Sequence, residues 1–169
     1  MKLSHGVEWG AHVCSLLAVV PDGRPLSGAR LAEFYDLPPA YLSKHLRQLA
    51  GAGILAATPG PTGGYRLGRS ADEITLKDIV EAINGNAYAF RCTEIRRRGP
   101  TGLNDDCYPG DCGVADAMWA AEEAWRDSLS QTTVADLVRV ARREVHREQQ
   151  QRTRAWLRES TLQAREVRS

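Results

Sequence analysis

Residues 27–67 read SGARLAEFYDLPPAYLSKHLRQLAGAGILAATPGPTGGYRL. Ser27 is a natural N-cap for a short helix over 27–35. Asp36-Leu-Pro-Pro39 then breaks that helix sharply. From Ala40 to Ala50, Leu42, Leu46 and Leu49 recur at i, i+4 and i+7, which predicts a longer helix with one apolar face. Gly51-Ala-Gly-Ile-Leu55 turns into a strand, TPGPTGG (58–64) makes a flexible tip, and Tyr65-Arg-Leu67 starts the return strand. Helix, tight turn, helix and β-hairpin in that order predict a winged helix-turn-helix. The second helix of such a lobe enters the major groove of DNA, so Tyr41, Ser43, Lys44 and Arg47 are the candidate contacts on it. On the wing the candidates are Thr62, Gly63, Gly64 and Tyr65, the glycines allowing the backbone close to a sugar–phosphate chain.

Outward from this lobe, residues 6–20 are rich in apolar side chains (Val7, Val13, Leu16, Leu17) and predict a first helix. After the wing, Leu76, Ile79, Val80 and Ile83 predict a helix that ends near Asn84-Gly85 and packs back on the lobe. A longer helix begins near Cys112 or Gly113. Its stripe of Val114, Ala117, Met118, Ala121, Trp125 and Leu129 lies far from the lobe, so the same helix of a second subunit is its expected contact. A last helix, Thr133 to Val145, is expected to close the ordered structure. The expected fold class is mainly α, a winged helix-turn-helix lobe plus a long dimerisation helix. The expected divisions are a DNA-binding lobe (1–88), a cysteine loop (89–112), dimerisation helices (113–145) and an Arg-rich tail (146–169).

The chain has 169 residues, 43% hydrophobic and 25% charged, an ordinary balance for a globular domain. Its opening, MKLSHGVEWG, lacks the apolar run of a secretory signal, and no stretch is long and apolar enough to span a membrane. A cytoplasmic protein is expected, in which clustered thiols serve metal or redox chemistry more often than disulfides. The net charge is +1, but from Arg139 onward there are nine Arg, four Glu and no Asp. That tail reads as a solvated helix, an extension along the dimer, or a source of phosphate affinity.

Three of the four cysteines fall in CTEIRRRGPTGLNDDCYPGDC (92–112), with fourteen residues between Cys92 and Cys107 and four between Cys107 and Cys112. This matches neither the C-x-x-C pairs of zinc sites nor a ferredoxin run, and idle thiols, zinc or iron all remain open. Cys112, at the expected start of the long helix, gains thiolate character from the helix dipole. In the first helix Glu8 and His12 are four apart and share a face, able to chelate one metal, although such pairs are usually solvated and idle. Cys14 lies off that face and reads as a packing thiol.

Taken together, the opening MKLS…VEWGAH, the segments LPPAYLSKHLRQLAGAGIL, GPTGGYRL and EITLKDIVEAING, and the loop start CTEIRRRGP resemble the Rrf-type winged-helix transcription regulators. This group contains the iron–sulfur regulators IscR and NsrR and the redox sensor RsrR; the resemblance spans residues 1–138. Glu8, Trp9, His12 and CTEIRRRGP are most similar to the RsrR type. The resemblance implies a homodimer holding a 2Fe–2S cluster at its interface, with Cys92 and Cys112 from one subunit and Glu8 and His12 from the other. Cys107 is the alternative thiol ligand. Trp9 would couple the cluster to the DNA-binding lobe, and the bound partner would be double-stranded operator DNA, probed in the manner of a repressor. The chain departs from the pattern in two places: the second cysteine gap is one residue longer, and Pro59 stands where many members carry a minor-groove Arg. The alternative is the same DNA-binding fold with a cluster-free thiol or zinc switch at Cys92, Cys107 and Cys112. No catalytic partner is apparent for Cys92 or Cys112 and no phosphate-binding loop occurs, so an enzyme is not expected.

Overall fold

The computed structural model describes residues 3–60 and 63–166, with side chains as far as Ser160. The described residues form α1 (His5–Leu17), α2 (Gly28–Tyr35), α3 (Pro39–Gly51), β1 (Leu55–Thr58), β2 (Gly64–Leu67), α4 (Leu76–Asn84), α5 (Gly113–Ser130), α6 (Val134–Glu144) and α7 (Arg147–Glu166). The winged helix-turn-helix expected from 27–67 is present. Ser27 Oγ accepts the Arg30 N–H at 3.2 Å, and α2 ends at Asp36 in the left-handed conformation (φ 50°). Pro39 opens α3, where a missing N–H has no cost.

Leu42, Leu46 and Leu49 are buried, and with Leu31 and Ile54 they meet Val13, Leu16 and Leu17 of α1 in one core. Each such leucine contributes about 1.5–3 kcal/mol relative to exposure. Strands β1 and β2 pair antiparallel with Leu55 opposite Leu67. Leu26 widens the hairpin by exchanging two backbone hydrogen bonds with Tyr65, at 3.0 and 2.8 Å. The wing glycines are demanded by the chain itself. A Cβ on Gly63 would collide with the Thr58 carbonyl, and one on Gly64 (φ 153°) with the Leu26 carbonyl.

Helices α4 and α6 both begin with a capping box, Thr75 with Asp78 and Thr133 with Asp136. The two starts are tied together: Leu76 N–H donates to Thr132 O at 2.9 Å and Val134 N–H to Ile74 O at 2.8 Å. This anchors α6 against α1, α4 and the lobe.

The ordered chain does not close at Val145. Helix α7 follows and docks on α2, burying Leu157 and Ser160. Trp156 packs edge-on against Phe34 with ring centroids 4.8 Å apart. The Arg30 guanidinium lies 4.5 Å over the Trp156 ring and donates to Ser160 Oγ at 2.6 Å. Among the described side chains of α7 only Trp156 and Leu157 dock as large apolar groups, too few for the sequence pattern to reveal the contact.

Candidate functional site

On α3, Tyr41, Lys44 and Arg47 are exposed and Ser43 is half-buried, so the outer face of the second helix carries the expected polar set. Arg47 Nε donates to Ser43 O at 3.3 Å. Gly63, Gly64 and Tyr65 line the inner part of the wing, where the Tyr65 ring is half-buried and packs against the core. Thr62 lies outside the described residues.

The opposite face of α3 meets α1. His45 is 9% exposed, its Nδ1 lies 2.9 Å from Gln48 Oε1, and its ring stands edge-on to Trp9 at 5.9 Å. Gly6 provides the space, since a Cβ there would overlap the His45 ring. Trp9 therefore touches the recognition helix directly, through a histidine that the sequence pattern did not single out. Glu8 and His12 are both exposed on α1 and project from one face. The backbone carbonyl of His12 accepts the Tyr35 hydroxyl of α2 at 2.7 Å, and the two rings lie 5.8 Å apart. Cys14 is fully buried, and burial pushes its thiol up to about 12.

The cysteine loop folds around one carboxylate. Glu94 Oε2 accepts from Arg96 Nε at 2.9 Å and from Arg97 Nε at 3.0 Å. Arg96 also donates to Gly110 O at 2.5 Å, and Arg97 Nη1 to Asp105 at 3.0 Å. Both guanidinium groups lie against the Tyr108 ring, at 5.1 and 5.3 Å, and the Tyr108 hydroxyl donates to Arg96 O at 3.1 Å. These ties draw residues 110–112 back to 92–96.

As a result Cys112 is folded back towards Cys92, near enough that each thiol affects the other's ionisation. Cys112 is the N-cap of α5. Its sulfur lies outside strict capping geometry yet faces the free N–H groups of Ala115 and Val114. Those N–H groups, with smaller help from Cys92 and Arg96, lower its pKa. The Cys92 thiol accepts the Glu94 N–H at 3.4 Å, which pulls its pKa down, but desolvation and the neighbouring Cys112 raise it overall. The two thiols are thus shifted in opposite directions, Cys112 being the more readily ionised. Cys107 is exposed on a separate 3-10 turn (Asp105–Cys107). Among the described residues of one protomer, no three His, Cys, Asp or Glu groups converge, so Glu8 and His12 do not join the cysteine pair.

Helix α5 positions the strand of chain that leads into the loop. Arg126, 9% exposed, donates to Glu81 at 2.8 Å, Glu122 at 3.0 Å and the carbonyl of Asn86 at 3.0 Å, with its charge 5.2 Å from the Tyr88 ring. Glu122 accepts the Ala89 N–H at 2.8 Å. Desolvation works against the Glu122 carboxylate, but Arg126 and the backbone N–H groups outweigh it and hold the pKa below the ordinary range. The outward side of α5 leaves Val114 64% and Met118 46% exposed, in line with Ala117 and Ala121.

The Rrf2 family model, described as iron-dependent transcriptional regulator, matches residues 3–140. The chain belongs to the Rrf2 family. Rrf2 proteins are DNA-binding transcriptional regulators and not enzymes. The chain is 36% identical over 91 residues to the candidate HTH-type regulator YffB of Lactococcus lactis, covering 54% of this chain and 58% of that one. It therefore spans little more than half the length of that relative. With the candidate HTH-type regulator YwgB of Bacillus subtilis it shares 26% identity over 136 residues, 79% of this chain and 82% of that one. Solved Rrf2 folds superpose well. CymR of B. subtilis, the global cysteine regulator, gives a TM-score of 0.64 at 24% identity over 83% of this chain and 98% of that one. IscR of T. potens gives 0.62 at 22% identity over 87% and 93%. No described helix of this Rrf2 chain is long and apolar enough to cross a membrane.

Proposed function

We propose that this Rrf2 regulator acts as a homodimer whose affinity for operator DNA is switched by the redox state of a 2Fe–2S cluster. The cluster is held by Cys92 and Cys112 of one protomer and by Glu8 and His12 of the other. The observation that carries this reading is that the loop folds residues 110–112 back to 92–96, Arg96 donating to Gly110 O, while Cys107 is exposed on a separate turn. The donor chemistry fits: two thiol side chains, one of them at a helix start, suit iron, and a carboxylate with an imidazole completes four donors. Because the two pairs do not converge within one protomer, a second copy is needed to bring them together. The exposed Val114, Ala117, Met118 and Ala121 of α5 give that copy a close helix-to-helix contact. Lobe (1–88), loop (89–112) and dimerisation helices (113–145) then have separate tasks.

When bound, the cluster supplies a one-electron change whose potential rises as imidazole replaces thiolate. The chain's own residues transmit it. Glu8 and His12 flank Trp9 on α1, and Trp9 bears on His45 of α3, so a small shift of α1 tilts the recognition helix. Tyr35, bonded to the His12 carbonyl, carries the same shift to α2. In a dimer such tilts change half-site spacing and hence affinity, as a repressor requires.

Anaerobically purified protein should be coloured, with iron and sulfide in equal amounts, and replacing Glu8 or His12 should change its visible spectrum. An unchanged spectrum excludes α1 as a ligand source. The return of Cys112 towards Cys92 also favours a second reading, a thiol switch in which the pair closes to a disulfide, losing two electrons and two protons to a cellular oxidant. Zinc held by Cys92, Cys107 and Cys112 is its metal-bound variant. Both are colourless.

A further inference from the structure

Helix α7 lies beyond residue 140, where the Rrf2 match ends, and its charges are sorted by face. Arg147, Arg154 and Arg158 follow one another at steps of seven and four, and Arg165 comes seven further in the sequence. At 3.6 residues per turn these eighteen steps make about five turns, so the arginines fall on one line of the helix. Glu148 and Glu159 fall on another line, where Arg152 is paired with Glu148 at 2.6 Å. A third line, with Trp156, Leu157 and Ser160, docks on α2. A helix that merely needed solubility would mix the signs; this one presents a basic stripe.

The docking fixes where that stripe stands. Ser160 meets Arg30 in the first turn of α2, and Trp156 reaches Phe34 further along, so α7 runs antiparallel to α2. Its later turns therefore lie beside the N-terminal end of α2. In a helix-turn-helix the first helix crosses the DNA backbone, and helix N-termini are among the groups that contact phosphate. The cation that α2 itself has there, Arg30, is engaged by Glu33 at 2.6 Å and by Trp156, while Arg154 and Arg158 of α7 are exposed. We propose that α7 is an additional DNA-contacting element, a basic helix clamped to the helix-turn-helix that grips the phosphate backbone flanking the bound site.

The test uses the full chain and a fluorescein-labelled mixed-sequence DNA duplex, with anisotropy titrations across a salt series. Wild type gives a steep line of log K against log salt; absence of salt-dependent binding would instead overturn DNA binding by this chain. Arg154→Ala with Arg158→Ala should flatten the slope by ~2 per protomer, from ~0.9 per phosphate contact. Arg154→Lys with Arg158→Lys should restore it, which also shows that a weakened Ala variant is not simply unfolded. The control Arg139→Ala with Arg152→Ala removes the same charge away from the stripe and should keep the wild-type slope. A slope unchanged in the stripe variant, or lowered equally in the control, overturns the proposal.

Discussion

The contact between α1 and α3 rests on a missing side chain. Alanine at Gly6 would place its Cβ 2.6 Å from both ring nitrogens of His45, 0.8 Å inside the 3.4 Å at which ordinary contact begins. The ring has little room to retreat. Trp9 stands at its edge, and Nδ1 is tied to Gln48, which in turn donates to Ile83 O at 3.2 Å. Overpacking of this kind costs about 1–3 kcal/mol, and a lost hydrogen bond adds about 1 kcal/mol. Against a domain stability of about 5–15 kcal/mol the variant still folds. Urea unfolding of wild type, Gly6→Ala, His45→Ala and the double variant closes a cycle. Removing the ring removes the clash, so the double variant should be more stable than the sum of the singles by about 1–3 kcal/mol. DNA affinity should fall in Gly6→Ala and recover in the double variant. Additivity within about 0.5 kcal/mol, or a Gly6→Ala protein as stable as wild type, would refute the direct coupling of α1 to the recognition helix.

Cys92→Ser and Cys112→Ser should each abolish the visible absorption of anaerobically purified protein, whereas Cys107→Ser should retain it; loss in all three would move Cys107 into the ligand set. Leu157→Ala should release α7 at a cost of about 2–5 kcal/mol, read in limited proteolysis as cuts beyond residue 145 while the lobe stays intact. Glu122→Gln tests the anchor of the 86–90 segment by pH. Because the folded pKa of Glu122 is depressed, its stabilisation is complete above the ordinary glutamate range and is lost as pH falls through the folded value. The variant should therefore unfold more readily than wild type at neutral pH, and the difference should close in acid; a gap that persists in acid would assign the effect to shape and not to charge.

The lobe was legible because its signals are local. Leucines at helical spacing, Ser27 as a cap, the Pro38-Pro39 break and the Gly-rich tip each act within a few residues, and they agree with one another. Other features depend on contacts that no periodicity announces. Cys112 is brought back towards Cys92 because Glu94, Arg96 and Tyr108 close the 92–112 loop through polar bonds, which spacing alone does not announce. Gly63 and Gly64 read as room for DNA, yet they are already required by the carbonyls of Thr58 and Leu26. His45 looked like one more polar residue of α3; its burial depends on Gly6, thirty-nine positions earlier. Helix α7 was hidden for another reason: among its described side chains it docks through one Trp–Leu pair set among Thr, Ser and Arg.

The central claim is that cluster state sets DNA affinity, and the most direct measurement is a titration of labelled operator DNA with oxidised, reduced and cluster-free protein, prepared anaerobically from one batch. The account predicts tight binding in one state and clearly weaker binding in the others, with the difference diminished in the Trp9→Ala variant. Equal affinity in all three states would contradict it.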